Sequence, residues 1–168
     1  MTRMPLVVVD EPPDRPDFIA ETVRLLGDRL AEERSRLLRR VEQASDAALG
    51  SGTDLEWGIG QVAAHLLIVE RGVLGIALRL AKGESPGATG QPRPAAAEVS
   101  RGGIVALAER TRRAAEAFRT GFPARPDDRA TARHPFYGEL NCFGWLLTLP
   151  NHYYAHLSAH DQGVRSAL

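Results

Sequence analysis

Apolar residues recur at three-to-four spacing along most of the chain, with charged residues filling the opposite face. From Pro16, a natural first-turn residue, Ile19, Val23, Leu26, Leu30, Leu37 and Val41 keep that period between arginines and glutamates. This predicts a first amphipathic helix, ended by "ALGSGTD". A second helix is expected from about Trp57-Gly58 to Lys82, with Ile59, Val62, Leu66, Val69, Val73, Ile76 and Leu80 inward and Gly83 as its cap. The stretch "GESPGATGQPRP" suits neither helix nor strand and makes a long connection. A third helix should open at Ser100 and run to about Arg119, burying Ile104, Leu107, Thr111, Ala115 and Phe118. After "GFPARPDD" and the loop "HPFYGEL", Asn141 is placed to cap a fourth helix. Pro150 either kinks that helix or begins a new one in its own first turn. No alternating strand pattern or internal repeat stands out. The expected fold class is all-α, a four-helix bundle with a long connection between helices 2 and 3. Residues 1–16 read as an extended proline-rich arm, and residues 17–168 as one domain.

Composition narrows the function classes. The 168 residues are enough for a single core, and 21 basic residues balance 21 acidic ones. With no long basic run, a nucleic-acid partner is not expected. The apolar patch from Pro5 to Val9 is too short for a signal-peptide core, and no uninterrupted apolar run approaches bilayer length. Cys142 is the single cysteine, so an internal disulfide is impossible. A cytoplasmic protein without a membrane partner is expected, and the extended arm leaves room for a homodimer.

Four of the five histidines fall in two helical segments. His65 lies in the second helix on or beside its apolar stripe. His152 and His156 lie four residues apart in the last helix, about 40° apart in direction and one turn apart in height. Three neutral imidazoles from facing helices can hold one divalent metal and leave part of its coordination sphere open. Such a site activates water or a thiol. All-imidazole sites suit several metals, with zinc and nickel foremost here. His160, a further turn along, falls toward the rim and is a second-shell or rim candidate. Trp57 reads as a core anchor that could also wall the site. His134 and Tyr137, in the "HPFYG" loop, are candidate pocket-wall residues. Glu70 reads as a solvated charge rather than a general base, and nothing decides the role of Asp161. Cys142 has no basic neighbour to activate it and reads as a small buried filler.

Two stretches carry a family resemblance. "WGIGQVAAHLLIVE" resembles the tryptophan-x-x-x-glutamine/glutamate-valine-x-x-histidine-leucine signature of the DinB-like superfamily. "HPFYGELNCFGWLLTLPNHYYAHLSAH" resembles its second signature, a proline-and-glycine loop, an aromatic early in the last helix, and H-x-x-x-H before leucine. The resemblance implies a four-helix bundle with a divalent metal on His65, His152 and His156. It also implies either a hydrolase or a transferase joining a low-molecular-weight thiol to an electrophile. Two departures concern the surroundings of the site: Ala159 and His160 stand where relatives often have glutamine, and Gly58 where they often have serine or threonine.

The expectation is therefore a metal-dependent enzyme acting on a small-molecule substrate, with the catalytic groups unassigned. The alternative is a non-catalytic, stress-related bundle that binds a metal or a small molecule.

Overall fold

The computed structural model describes residues 15–90 and 92–161. The four predicted helices are present with shifted ends: α1 (Arg15–Gln43), α3 (Ile59–Ala81), α4 (Arg101–Gly121) and α5 (Cys142–Asp161). The extended arm lies outside the described residues up to position 14, and α1 starts two residues earlier than the expected boundary.

α1 also stops earlier than expected, before "ALGSGTD". Ser45 leaves the helical conformation and its Oγ accepts from the Ala48 amide at 3.1 Å, which starts a separate turn, α2 (Asp46–Leu49). The carbonyls left open there are met from α4. Arg101 donates to Val41 O at 3.0 Å and Ala44 O at 2.6 Å, and its Nε reaches Asp46 at 2.8 Å. A helix end is thus capped by a side chain 57 residues further on.

Gly58 is the N-cap of α3, and the Gln61 side chain accepts from its amide at 3.1 Å. A side chain at position 58 would run into Ser51 O, so glycine is required by close approach rather than by the cap itself. Past the other end, Gly83 N donates to Leu80 O and Glu84 N to Arg79 O, both at 2.9 Å. By length and composition α3 could cross a bilayer, a property that counting uninterrupted apolar runs misses. Here it is the core helix instead, mostly buried and packed against α4, α5 and α1. Leu66, Leu67 and Ala77 have no exposure. Truncating either leucine should cost about 2–5 kcal/mol.

The expected loop between α4 and α5 is a β-hairpin, which corrects the strand-free reading. β1 (Thr131–His134) pairs antiparallel with β2 (Gly138–Asn141), from Thr131 opposite Asn141 to His134 opposite Gly138. Four residues give too little alternation to be seen, since only Ala132 is buried. Gly138, at φ 77°, takes the left-handed conformation that closes the turn. Asn141 then caps α5 as expected, its Oδ1 accepting from Gly144 N at 2.9 Å. Trp145 Nε1 donates to Ala132 O at 3.2 Å and ties α5 to the hairpin. α5 runs through Pro150 as one helix, so no second helix begins there.

Candidate metal centre and its cavity

The periodicity that buries α3 also turns His65 inward, leaving it 3% exposed. α5 faces it with His152 and His156, and the three offer ligand nitrogens that all lie within 4.8 Å of one another. His65 Nε2 and His152 Nε2 are 3.1 Å apart. Ring centroids are separated by 5.1 Å for His65–His152 and His65–His156, and by 4.6 Å for the pair on α5.

One contact orients the cluster. His65 Nδ1 lies 3.2 Å from Pro92 O, in the long connection after α3. A carbonyl can only accept, so the proton belongs on Nδ1 and the lone pair on Nε2 faces the other histidines. Metal-binding histidines commonly have their second nitrogen held in this way. Burial holds His65 down to about 4, with His156 adding to the effect and the Pro92 contact opposing it. Burial, then His156, His65 and His134, hold His152 down to about 3. Burial also lowers His156. All three are neutral bases at pH 7, the form that binds a cation.

These residues fit a divalent ion. At metal–nitrogen distances of about 2.0–2.1 Å, tetrahedral neighbours lie roughly 3.3 Å apart. The His65–His152 spacing already matches, and side-chain torsions can close the wider one. The donor set is all imidazole, with no carboxylate or thiolate in the group.

The cluster forms one wall of a cavity of about 630 Å³. Ile68, Val69, Val73 and Ile76 supply an apolar side from α3, and Trp145, Thr148 and Asn151 border it from α5. Ala88 to Gly90 and Pro92 close it from the long connection, and the hairpin turn closes it from the other side. No aspartate or glutamate lines it among the described residues.

The other candidates are placed as follows. His134 and Tyr137 line the cavity and stack at 4.8 Å, and His134 also meets Trp145 at 4.8 Å. His134 Nδ1 accepts from Phe136 N at 3.2 Å, which leaves its proton on Nε2. Trp57 is buried against the centre itself, edge-on to His65 at 4.8 Å and parallel to His156 at 6.3 Å. His160 neither joins the group of three nor lines the cavity. Cys142 has no exposure, and burial pushes its thiol up, as suits a filler.

Glu70 is not the solvated charge its sequence position suggested. It has no exposure, pairs with Arg34 of α1, and accepts from Tyr153 Oη of α5 at 2.6 Å. Burial raises its carboxyl, opposed by Arg34 and then Tyr153. It does not line the cavity. Arg71, Gly72, Thr148 and Asn151 do line it and were missed. Gly72, seven residues beyond His65, and Thr148, four before His152, share a helix face with a histidine, which is the signal that could have found them.

The bundle and its histidine centre define the class. The DinB superfamily pattern matches residues 11–159, and the chain belongs to that superfamily. No curated protein matches it. A solved structure described as "TT2238, a four-helix bundle protein" is similar, with 26% identity and a TM-score of 0.61. That similarity covers 83% of this chain and 98% of the other.

Proposed function

We propose that this protein is a metal-dependent enzyme in which His65, His152 and His156 hold one divalent ion, zinc or nickel, and a small thiol is joined to an electrophile beside it. The observation that carries the reading is the convergence of three neutral imidazoles on the wall of a largely apolar cavity. When bound, the ion would lower the pKa of a thiol or a water enough to make a nucleophile at neutral pH.

The chain's own residues favour the thiol over water. Hydrolysis profits from a general base within hydrogen-bond reach of the attacking water. The described lining offers no carboxylate for that work, Glu70 is committed to Arg34 and Tyr153, and the Nδ1 lone pair of His134 is taken by Phe136 N. A thiol needs no such base once its proton has left to solvent. Its sulfur would form the bond to the electrophilic carbon, and the leaving group would depart with its electron pair. Pro92 O fixes the His65 tautomer, Trp57 packs against two of the three imidazoles, and the α3 side chains hold the apolar body and exclude water. A cytoplasmic setting would keep such a thiol reduced.

The test is to incubate zinc- or nickel-loaded protein with 1-chloro-2,4-dinitrobenzene or 4-nitrophenyl acetate, each with and without a small thiol. The expected result is a thiol-dependent rate above the uncatalysed one, lost with chelator and in His156→Ala. A rate that needs the metal but not the thiol would move the assignment to hydrolysis. No metal-dependent rate on either probe, while metal is bound, would favour a non-catalytic binding bundle.

A further inference from the structure

On the reading above, what the cavity selects follows from a charge that has no partner among the described residues. Most arginines on the exposed helix faces are matched by acids three or four residues away: Arg24 pairs with Glu21 and Asp28, Arg112 and Arg113 with Glu109, Arg119 with Glu116. Arg71 is different. The positions three and four away on α3 are Leu67, Ile68, Leu74 and Gly75, so the helix offers it no acid. Its neighbour Glu70 is taken by Arg34 and Tyr153. Among the described residues Arg71 makes no ion pair or hydrogen bond, yet it is half-buried and lines the cavity.

A guanidinium beside an apolar wall, without a counter-ion, loses hydration and recovers it best by pairing. The described lining holds no carboxylate, so the pairing charge has to arrive with a ligand. The planar fork of arginine matches a carboxylate bidentately. There is also space for it, because a Cβ built on Gly72, next to Arg71, would meet nothing within 4 Å. Arg71 lies six residues beyond His65, about 9 Å further along the helix axis. Between them, on the cavity side, α3 presents Ile68 and Val69.

We propose that Arg71 is an anion-recognition residue, and that the cavity takes amphiphilic carboxylic acids. The apolar body would lie along α3, with the reacting end at the histidines and the carboxylate almost two turns away at Arg71.

The experiment titrates octanoate and the uncharged octanamide into the full chain and into Arg71→Gln, each zinc-loaded and metal-free. Calorimetry and the fluorescence of Trp145, which lines the cavity, read the binding. Wild type should prefer octanoate by roughly tenfold or more in both forms, a modest share of what a charge-assisted pair can supply. Arg71→Gln should bind the two equally, with octanamide affinity unchanged. The proposal is overturned if wild type binds neither probe, if metal-free wild type shows no preference for octanoate, or if the preference survives in Arg71→Gln. Zinc content of the same samples reports separately on the metal reading. Bound zinc without an octanoate preference sinks only the present proposal, and a preference without bound zinc sinks only the metal centre.

Discussion

α3 carries two buried polar stations five residues apart, and α5 answers both with adjacent residues. At Glu70, the carboxylate meets Arg34 and the Tyr153 hydroxyl, so charge and hydrogen bonds close within the protein. At His65, the partners are His152 and His156, all bases, and nothing in the group carries a counter-charge. Two Nε2 atoms at 3.1 Å can be reconciled only if one of them holds a proton. A cation would use both lone pairs at once. The contrast separates a buried polar group whose charge is answered within the protein from one whose members offer lone pairs without a counter-charge. The two lie five residues apart on one helix and both are buried, so burial alone does not tell them apart, whereas the balance of donors and acceptors does.

The largest expected effect falls on the closed station. Glu70→Ala should destabilise the fold by about 3–5 kcal/mol in chemical denaturation, because it strands Arg34. Metal content per folded chain should stay the same. Loss of metal without loss of stability would show that Glu70 belongs to the centre and erase the distinction.

Acid should act on the open station. In chelator-treated protein, His65 and His152 titrate near 4 and 3 when folded and near 6.5 when unfolded. As pH falls below about 6.5 the unfolded chain takes up their protons first, so the two histidines draw stability down until the folded values are reached. Melting temperature followed from pH 7 to pH 4 should therefore decline, and less steeply in His65→Ala. Equal slopes would mean the histidines are not desolvated as described.

Tyr153→Phe removes one donor from Glu70 and should cost about 1–3 kcal/mol, with zinc content and zinc affinity unchanged. This is the sharpest version of the comparison, since Tyr153 is flanked by His152 on the same helix. A drop in zinc affinity larger than the drop in stability would join the two stations into one.

These stations also mark how far the sequence could be read. The helices were legible because each buries one stripe, and Ser100, Asn141 and Gly83 announce their ends locally. The histidine cluster was legible as a candidate because His152 and His156 share a turn and His65 sits on the stripe of the facing helix. Glu70 was misread because its partner Arg34 lies 36 residues away, and no local pattern encodes that pairing. The hairpin was missed because four-residue strands with a single buried side chain carry almost no periodicity. The early stop of α1 begins with Ser45, a local cap, and the carbonyls it leaves open are met by Arg101, again a partner supplied by tertiary structure. Of the cavity, His134 and Tyr137 were legible as wall residues, but its extent was not, since its walls come from α3, α5, the long connection and the hairpin turn together.

The smallest effect probes that cavity. Gly72→Ala meets no atom and replaces a mid-helix glycine, so it should stabilise the fold by about 0.5–1 kcal/mol. Thermal denaturation would show a rise, and a fall would mean that Gly72 does not face open space.

The central claim is tested most directly by the metal content of untagged protein and of His156→Ala, both purified from medium with mixed trace metals and then reloaded with zinc. The account predicts one divalent ion per wild-type chain and an affinity in the variant lower by at least about 100-fold, since even a group that only orients a ligand is worth 10–100-fold. Wild-type protein that stays free of metal after reloading, or a variant that binds as tightly as the wild type, would contradict it.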